Sequence, residues 1–478
     1  MRNTTYLIVV CLLFLFSCQE NNNTEQIISS LPPSIAGKSD VEMWLTSANR
    51  QNLLAKANVN ISFQSQVGSG PIIEIDTTTT YQTMDGFGYT LTGGSAYVMN
   101  QNLDPSQRAN LLKELFSQDG IGVSYLRVSI GASDLDVKVF SYNDLPAGQT
   151  DVTLEKFSLQ QNKVNLIPIL KQILAINPNI KILGSPWSPP TWMKTNGKTI
   201  GGSLKPEYYS VYALYLVRYI QEMQKEGIPI DAITIQNEPE NPHNNPSLLM
   251  TATEQANFIK NHLGLAFEKE GIKTKIVIFD HNCDHPNYPI SILNDPAAKK
   301  YIDGSAFHLY AGDISAMSRV HQAHPDRHLY FTEQWTSSAG DFGGDLVWHT
   351  KNLIIGAPRN WSRTVLEWNL AADARQKPYT DGGCTQCLGA LTIDNNVITR
   401  NVPYYAIAQV AKFVPSGAKR TASNQVDGLS NVAFLNPNGK KVLVILNEEG
   451  QAKSVNIKAS QKIANVSIPS RSVVTLVW

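Results

Sequence analysis

The sequence predicts an α/β fold: a (β/α)8 TIM barrel with an attached β-sandwich side domain built from both chain termini. Three observations carry this prediction. Between residues 79 and 400, eight short apolar runs ending in polar or aromatic residues alternate with stretches of helical periodicity, and eight is the strand count of a barrel. No glycine-rich phosphate loop follows any of these runs, which separates the pattern from a doubly wound nucleotide-binding sheet. Beyond residue 400 the rhythm changes to short strand-like runs separated by turn signals such as "PNGK".

The elements follow in order. Residues 1–18 read as a targeting segment, with Arg2 ahead of the short apolar run "YLIVVCLLFLF" and then "SC" before a polar stretch. Cys18 reads as the lipidated first residue of a mature envelope lipoprotein, periplasmic or on the surface of a bacterium. Plain secretion with cleavage nearby is the alternative, and both place the protein outside the cytoplasm. Residues 19–38 are polar and punctuated by Pro and Gly, as in a tether. Residues 39–78 include "ISFQSQ" and "PIIEID", which read as the first sandwich strands.

The barrel runs are "TMDGFGYTLT", "VSYLRVSIGASD", "KILGSPWSPPTW", "DAITIQNEPE", "KIVIFDHNCD", "GSAFHLYAGD", "LYFTEQWTSS" and "TVLEWNLAAD". Between them, "QRANLLKELFSQDGIG" and "SVYALYLVRYIQEMQKEGI" have apolar residues at helical spacing. "KVNLIPILKQILAINPN" puts Leu166, Ile167, Leu170, Ile173 and Leu174 on one face, with Pro168 near the start, where helices tolerate it. Residues 401–478 hold a last helix, "PYYAIAQVAKFV", and the sandwich runs "NVAFLNP", "KKVLVILNE", "AKSVNIKA" and "SVVTLVW".

Composition excludes some function classes. The chain has 478 residues, 42% hydrophobic and 17% charged, which is globular. Forty basic residues balance forty acidic ones, so no basic surplus recruits nucleic acid or an anionic membrane surface. The only expected membrane contact is the amino-terminal anchor.

Chemistry concentrates at the run ends. Glu238 closes the fourth run and Glu333 the seventh, and two carboxyls on one barrel rim can face each other. Such a pair can split a glycosidic bond, one protonating the leaving oxygen and the other attacking the sugar or activating water. This needs neither metal nor cofactor. The acid is expected to have a raised pKa, supplied by burial and a nearby negative charge. Asn237, just before Glu238, can donate to a sugar hydroxyl.

Two other classes stay open. A carbohydrate-binding barrel would lack a catalytic carboxylate, and both are present. A metal hydrolase could use Asp280, His281, Asp284 and His285 of "FDHNCDH", but their spacing matches no standard ligand set, and they read instead as lining the acceptor side of the cleft or hydrogen-bonding within their loop. In an oxidising compartment, Cys384 and Cys387 are expected to form a local disulfide rather than half a zinc site or a redox pair.

In order along the chain, "GSPWSPPTWMKTNG", "ITIQNEPE", "FHLY", "FTEQW" and "EWNLA" resemble glycoside hydrolase family 30, which includes glucocerebrosidase and microbial β-1,6-glucanases. The resemblance runs from about residue 40 to Trp478. It implies a retaining mechanism, with Glu238 as acid/base and Glu333 as nucleophile. It places Asp134, Trp187, Asn237 and Trp368 around a glucose subsite, where Asp134 can accept from sugar hydroxyls and the two Trp can pack on a pyranose face. It places Arg127, His308 and Tyr310 around the two carboxylates, where Tyr310 can hold the nucleophile by a charge-assisted hydrogen bond and Arg127 can keep a carboxylate ionised. His308 reads as scaffold, because the two Glu fill the acid and base roles. "DGGCTQCLGALTID" resembles the β-1,6-glucanase branch, which implies a β-glucan oligo- or polysaccharide as substrate. An exo-acting β-glucosidase or a glucosylceramidase is the alternative. His308-Leu309-Tyr310 replaces the His-Trp-Tyr of the lipid-hydrolysing branch.

Overall fold

The structure is a computed structural model that describes Met1 and residues 39–478. The Cys18 reading and the 19–38 tether lie outside the described residues.

Eight parallel strands close into a barrel: β1 (Gly86–Thr90), β2 (Tyr125–Ile130), β3 (Lys181–Pro186), β4 (Ala232–Thr234), β5 (Lys275–Asn282), β6 (Ile302–His308), β7 (His328–Glu333) and β8 (Ser362–Asn369). Each pairs with its sequence neighbour, and β8 pairs back onto β1. All eight predicted runs contain a barrel strand. The strands are buried on both faces, which explains their continuous apolar character. Tyr125, Leu183, Ala232, Val277, Ala306, Tyr330 and Leu366, one from each of β2 to β8, form a separate cluster that packs the barrel interior.

The surrounding helices follow from their sequence. Pro105–Phe116 starts on an Asp104 side chain that caps the Gln107 N–H, with Pro105 in the first turn. Tyr209–Lys225 buries Tyr212, Tyr215, Leu216, Tyr219 and Met223. Leu166–Ile176 buries the predicted face, except that Ile169 is buried and Leu174 only half-buried.

The side domain is one nine-stranded sheet that wraps over its own core, with both termini woven in. Glu42–Ser47 pairs antiparallel with Ser472–Val477. Ile72–Thr83 lies between Lys453–Ala459 and Lys419–Ser423. The expected strand at "ISFQSQ" is not regular structure and contributes one bridge, Gln64 to Ile463. Glu42–Ser47, Lys419–Ser423 and Lys462–Ile468 are strands without a sequence prediction.

Alternation explains how the sheet docks. Ala433, Leu443, Ile445 and Val474 enter the sandwich core, whereas Val432, Phe434, Val442, Val444 and Val473 join the barrel's core. The helix Val402–Ala411 sits in this seam, and every one of its residues is buried. Its Gln409 donates to Thr46 Oγ1 at 2.8 Å and accepts from Thr475 Oγ1 at 2.7 Å, which satisfies the one long polar side chain there. This seam braces β1 and β8, and so the rim that β8 supports.

Candidate active site

The predicted site residues converge at the C-terminal ends of the barrel strands. Glu333 is the last residue of β7, and Glu238 follows β4 in the left-handed region at φ +46°. Phe279 and Asp280 on β5 share that region at φ +71° and +64°. Such conformations cost non-glycine residues roughly 1–3 kcal/mol each and cluster at functional sites. At least one oxygen of each Glu lies within 4.8 Å of the other and of a His308 nitrogen. This is the short separation of retaining enzymes, whose carboxyls lie ~5–5.5 Å apart, not the ~6.5–9.5 Å of inverting ones.

Beneath the pair, Asp280 anchors the network. Its Oδ2 accepts from Arg127 Nη2 at 2.8 Å, Ser185 Oγ at 2.6 Å and Thr234 Oγ1 at 2.8 Å. Its Oδ1 accepts from Thr332 Oγ1 at 2.6 Å and faces His308 Nε2 at 3.1 Å. Five other strands thus reach one β5 carboxylate. Burial opposes its charge, but Arg127 and His308 prevail and hold it well below the usual carboxylate range.

Arg127 also donates to Glu333 Oε2 at 2.5 Å and to Asn237 Oδ1 at 2.6 Å. With its oxygen committed to Arg127, Asn237 is left with its amide nitrogen as a donor. Tyr310 donates to the other Glu333 oxygen at 2.8 Å. Burial and the Glu333 charge push the Tyr310 hydroxyl well above its ordinary pKa, so it remains a donor. Glu238 Oε2 accepts from Asn241 at 2.8 Å and Asn244 at 3.1 Å, and its Oε1 meets His308 Nδ1 at 3.2 Å.

The expected raised pKa on Glu238 is corrected by this geometry. Burial works against the Glu238 charge, but the His308 hydrogen bond and charge, with help from His281, hold its carboxyl down to about 2. His308 itself is pushed up to about 9: burial disfavours its charge, yet Glu333, Asp280 and Glu238 outweigh that. The raised carboxyl is Glu333, where burial outweighs His308 and Arg127. His308 thus stands one hydrogen bond from Glu238, placed to exchange a proton with it. His308 is more than scaffold: it links Asp280 to Glu238, with Nδ1 also 3.8 Å from Glu333.

Aromatic residues wall one side. Trp187 and Trp368 stack with ring centroids 5.4 Å apart, and Arg127 lies 4.7 Å over the Trp187 ring. Trp187 Nε1 is buried without a hydrogen-bond partner in the protein. Asp134 faces the same cavity, its carboxyl pushed up to about 7 by burial and by the Glu333 charge. Cys384 and Cys387 are disulfide-bonded and line this wall. The cavity measures about 510 Å³.

The "FDHNCDH" residues do not assemble as a ligand set. Asp280 belongs to the carboxylate network, and His281 lines the cleft. His285 lies on the rim, 2.8 Å from Glu240. Among the described residues, the group with metal-ligand spacing is Glu238, His308 and Glu333. Sequence reasoning missed Asn241 and Asn244, and it read Asp280 with its loop neighbours, as lining the cleft or hydrogen-bonding locally, rather than as the anchor beneath both carboxylates. The signal for Asp280 was its place at a barrel-strand end, beside the other site residues.

Comparisons agree with this architecture. Residues 84–414 match the TIM-barrel domain of glycosyl hydrolase family 30, and residues 417–476 match that family's beta sandwich domain. The endo-1,6-beta-D-glucanase neg1 of Aspergillus fumigatus is 35% identical over 83% of this chain and 85% of its own length. The lysosomal acid glucosylceramidase of Mus musculus is 27% identical over 87% and 84%. Among solved structures, the endo-beta1,6-glucanase BT3312 superposes with a TM-score of 0.86 at 35% identity, covering 92% of this chain and 99% of the other. With a barrel, a side sandwich and a carboxylate pair all of that type, the chain belongs to glycosyl hydrolase family 30.

Proposed function

We propose that this protein is a retaining glycoside hydrolase that cleaves β-1,6-linked glucan within the chain. The observation that carries the chemistry is the short separation of Glu238 and Glu333 on one strongly hydrogen-bonded rim. Glu333, oriented by Arg127 and Tyr310, attacks the anomeric carbon and forms a glycosyl ester. Glu238 protonates the departing oxygen with the proton it shares with His308. That transfer leaves His308 neutral, its Nε2–H still directed at Asp280. Water, deprotonated by Glu238, then resolves the ester with net retention.

Similarity to endo-1,6-glucanases supports glucan as the substrate. The shape of the rim supports internal cleavage. Trp187, Trp368, Asp134 and the disulfide wall one side of Glu333. On the Glu238 side, the surface continues past Glu240 into a second groove of about 840 Å³, bordered by Met250, Thr251, His285 and Arg319. Glu240 borders both cavities. A leaving chain would follow that groove, with units beyond the cut held there. We place the enzyme on the cell envelope, as the apolar amino-terminal run before Cys18 suggests; metabolic labelling with palmitate, lost in Cys18→Ala, tests this.

The experiment is a time-resolved product profile on linear β-1,6-glucan, aryl β-glucosides and glucosylceramide. Mixed β-1,6-oligosaccharides appearing early support internal cleavage. Release of glucose alone, from glucosides or from the lipid, overturns it in favour of an exo-acting enzyme with the same carboxylates.

A further inference from the structure

The loop that follows β8 bends back over the site as an arch, and its anchors are unevenly distributed. At one end, Thr380 donates its N–H to the Asp134 carbonyl at 2.8 Å, and its hydroxyl reaches the Asn245 carbonyl at 2.6 Å. At the other end, the Gln386 carbonyl accepts from Ser338 N and Leu388 N donates to the Thr336 carbonyl, both at 2.9 Å. The arch thus ties together the loops that follow β2, β4 and β7.

Between these anchors, "GGC" lies directly on the sugar wall. A Cβ on Gly383 would stand 2.5 Å from the Asp134 carbonyl oxygen, so only glycine allows this approach. The next N–H, that of Cys384, donates to Asp134 Oδ2 at 3.3 Å. Among the described residues, no other residue donates a hydrogen bond to that carboxylate. Cys384 is only half-buried, and Thr385 and Gln386 beside it are exposed. Cys384 packs only against the edge of the Leu135, Trp187 and Trp368 cluster, and its bond ties it to Cys387, which is buried in that cluster and whose carbonyl accepts from Asn369 Nδ2 at 3.3 Å.

We propose that the Cys384–Cys387 disulfide is a positioning element of the sugar pocket: it holds the Cys384 N–H against Asp134, so affinity for the glycone depends on the bond being intact. This rests on the glycosidase reading above and adds a determinant of its donor subsite. Neither cysteine touches the reacting carboxylates, so the bond acts through Asp134 and the wall. A dithiol reductant reaches it from the exposed turn. Its thiolate attacks one sulfur and expels the other as a thiolate. Its second thiol then closes the reagent's own disulfide, leaving two protein thiols.

The test uses the intact protein, oxidised and then treated with dithiothreitol. An aryl β-glucoside reads KM and kcat, and a glucose-configured iminosugar reads binding by calorimetry. Losing the hydrogen bond that orients the Asp134 carboxyl predicts a KM and an iminosugar Kd raised about tenfold, with kcat within about twofold. Removing the reductant and reoxidising restores both. Cys384→Ser/Cys387→Ser has the raised KM permanently and does not respond to reductant; if that variant fails to fold, reversible reduction of the native protein decides alone. An unchanged KM and Kd after reduction overturn the inference, as does a parallel loss of kcat and folded protein. An oxidised protein that binds no iminosugar and cleaves no β-glucoside overturns the glycosidase reading as well.

Discussion

Replacing Tyr310 with Phe removes one hydrogen bond from Glu333 and little else. The hydroxyl donates at 2.8 Å to Oε1, while Arg127 holds Oε2, so the variant keeps one of the two donors. A hydrogen bond to a charged group contributes about 1.5–3 kcal/mol. Its loss destabilises the ionised form of Glu333 and leaves the protonated form almost untouched. At about 1.36 kcal/mol per pH unit, the Glu333 titration moves alkaline by about one to two units. Burial already raises this carboxyl, so the change adds to an existing shift. A nucleophile is active only when ionised, which fixes the sign: activity is present above the Glu333 pKa and lost below it. Tyr310→Phe therefore shifts the acid limb of the kcat/KM profile to higher pH. Below that limb the rate falls about 10- to 100-fold, with little change on the plateau. An aryl β-glucoside with a good leaving group isolates Glu333, because it needs no acid at Glu238. An acid limb at the wild-type pH would refute the reasoning.

Three further outcomes are expected. Glu333→Ala should lose hydrolysis and regain turnover in azide with an inverted product, whereas azide should rescue Glu238→Ala only on activated leaving groups and with retention; full activity of either variant sinks the assignment. Arg127→Ala removes the guanidinium paired with both buried Asp280 and buried Glu333 and leaves His308 as the one cation beside them, so urea unfolding should show a loss of about 3–5 kcal/mol, and an unchanged midpoint would contradict the network. Gln409→Ala removes the two side-chain hydrogen bonds of the seam, although Thr475 still donates to the residue-409 carbonyl and Thr46 still accepts from the Leu54 N–H, and should cost about 1–3 kcal/mol by the same assay, with wild-type kcat on aryl glucosides; unaltered stability would mean the seam is held by its remaining contacts.

The barrel was legible because each strand states its boundary in composition: an apolar run buried on both faces gives way to polar residues where the chain emerges. Glu238 and Glu333 stood out for that reason, since a carboxylate at the tip of an apolar strand has few structural uses. The sandwich was legible only in part. Ser472–Val477 and Lys441–Asn447 are mostly apolar because they serve two cores, but Lys462–Ile468 alternates with Lys, Asn and Ser and gives a weak signal. Asp280 was misread because its partners come from five other strands, and local sequence does not show that convergence. The pKa ordering failed for the same reason. Burial was foreseeable at both Glu residues, but a charged imidazole beside Glu238 depends on where β6 delivers His308.

Double displacement requires that Glu333 become covalently attached to the sugar. A 2-deoxy-2-fluoro β-glucoside with an activated leaving group slows release of the glycosyl-enzyme enough for peptide mass spectrometry. Stoichiometric label is expected on the peptide containing Glu333, and none in Glu333→Ala. Label on Glu238, whose carboxyl is the one held near 2 beside His308, would reverse the two roles; active protein that takes up no label would contradict the double displacement itself.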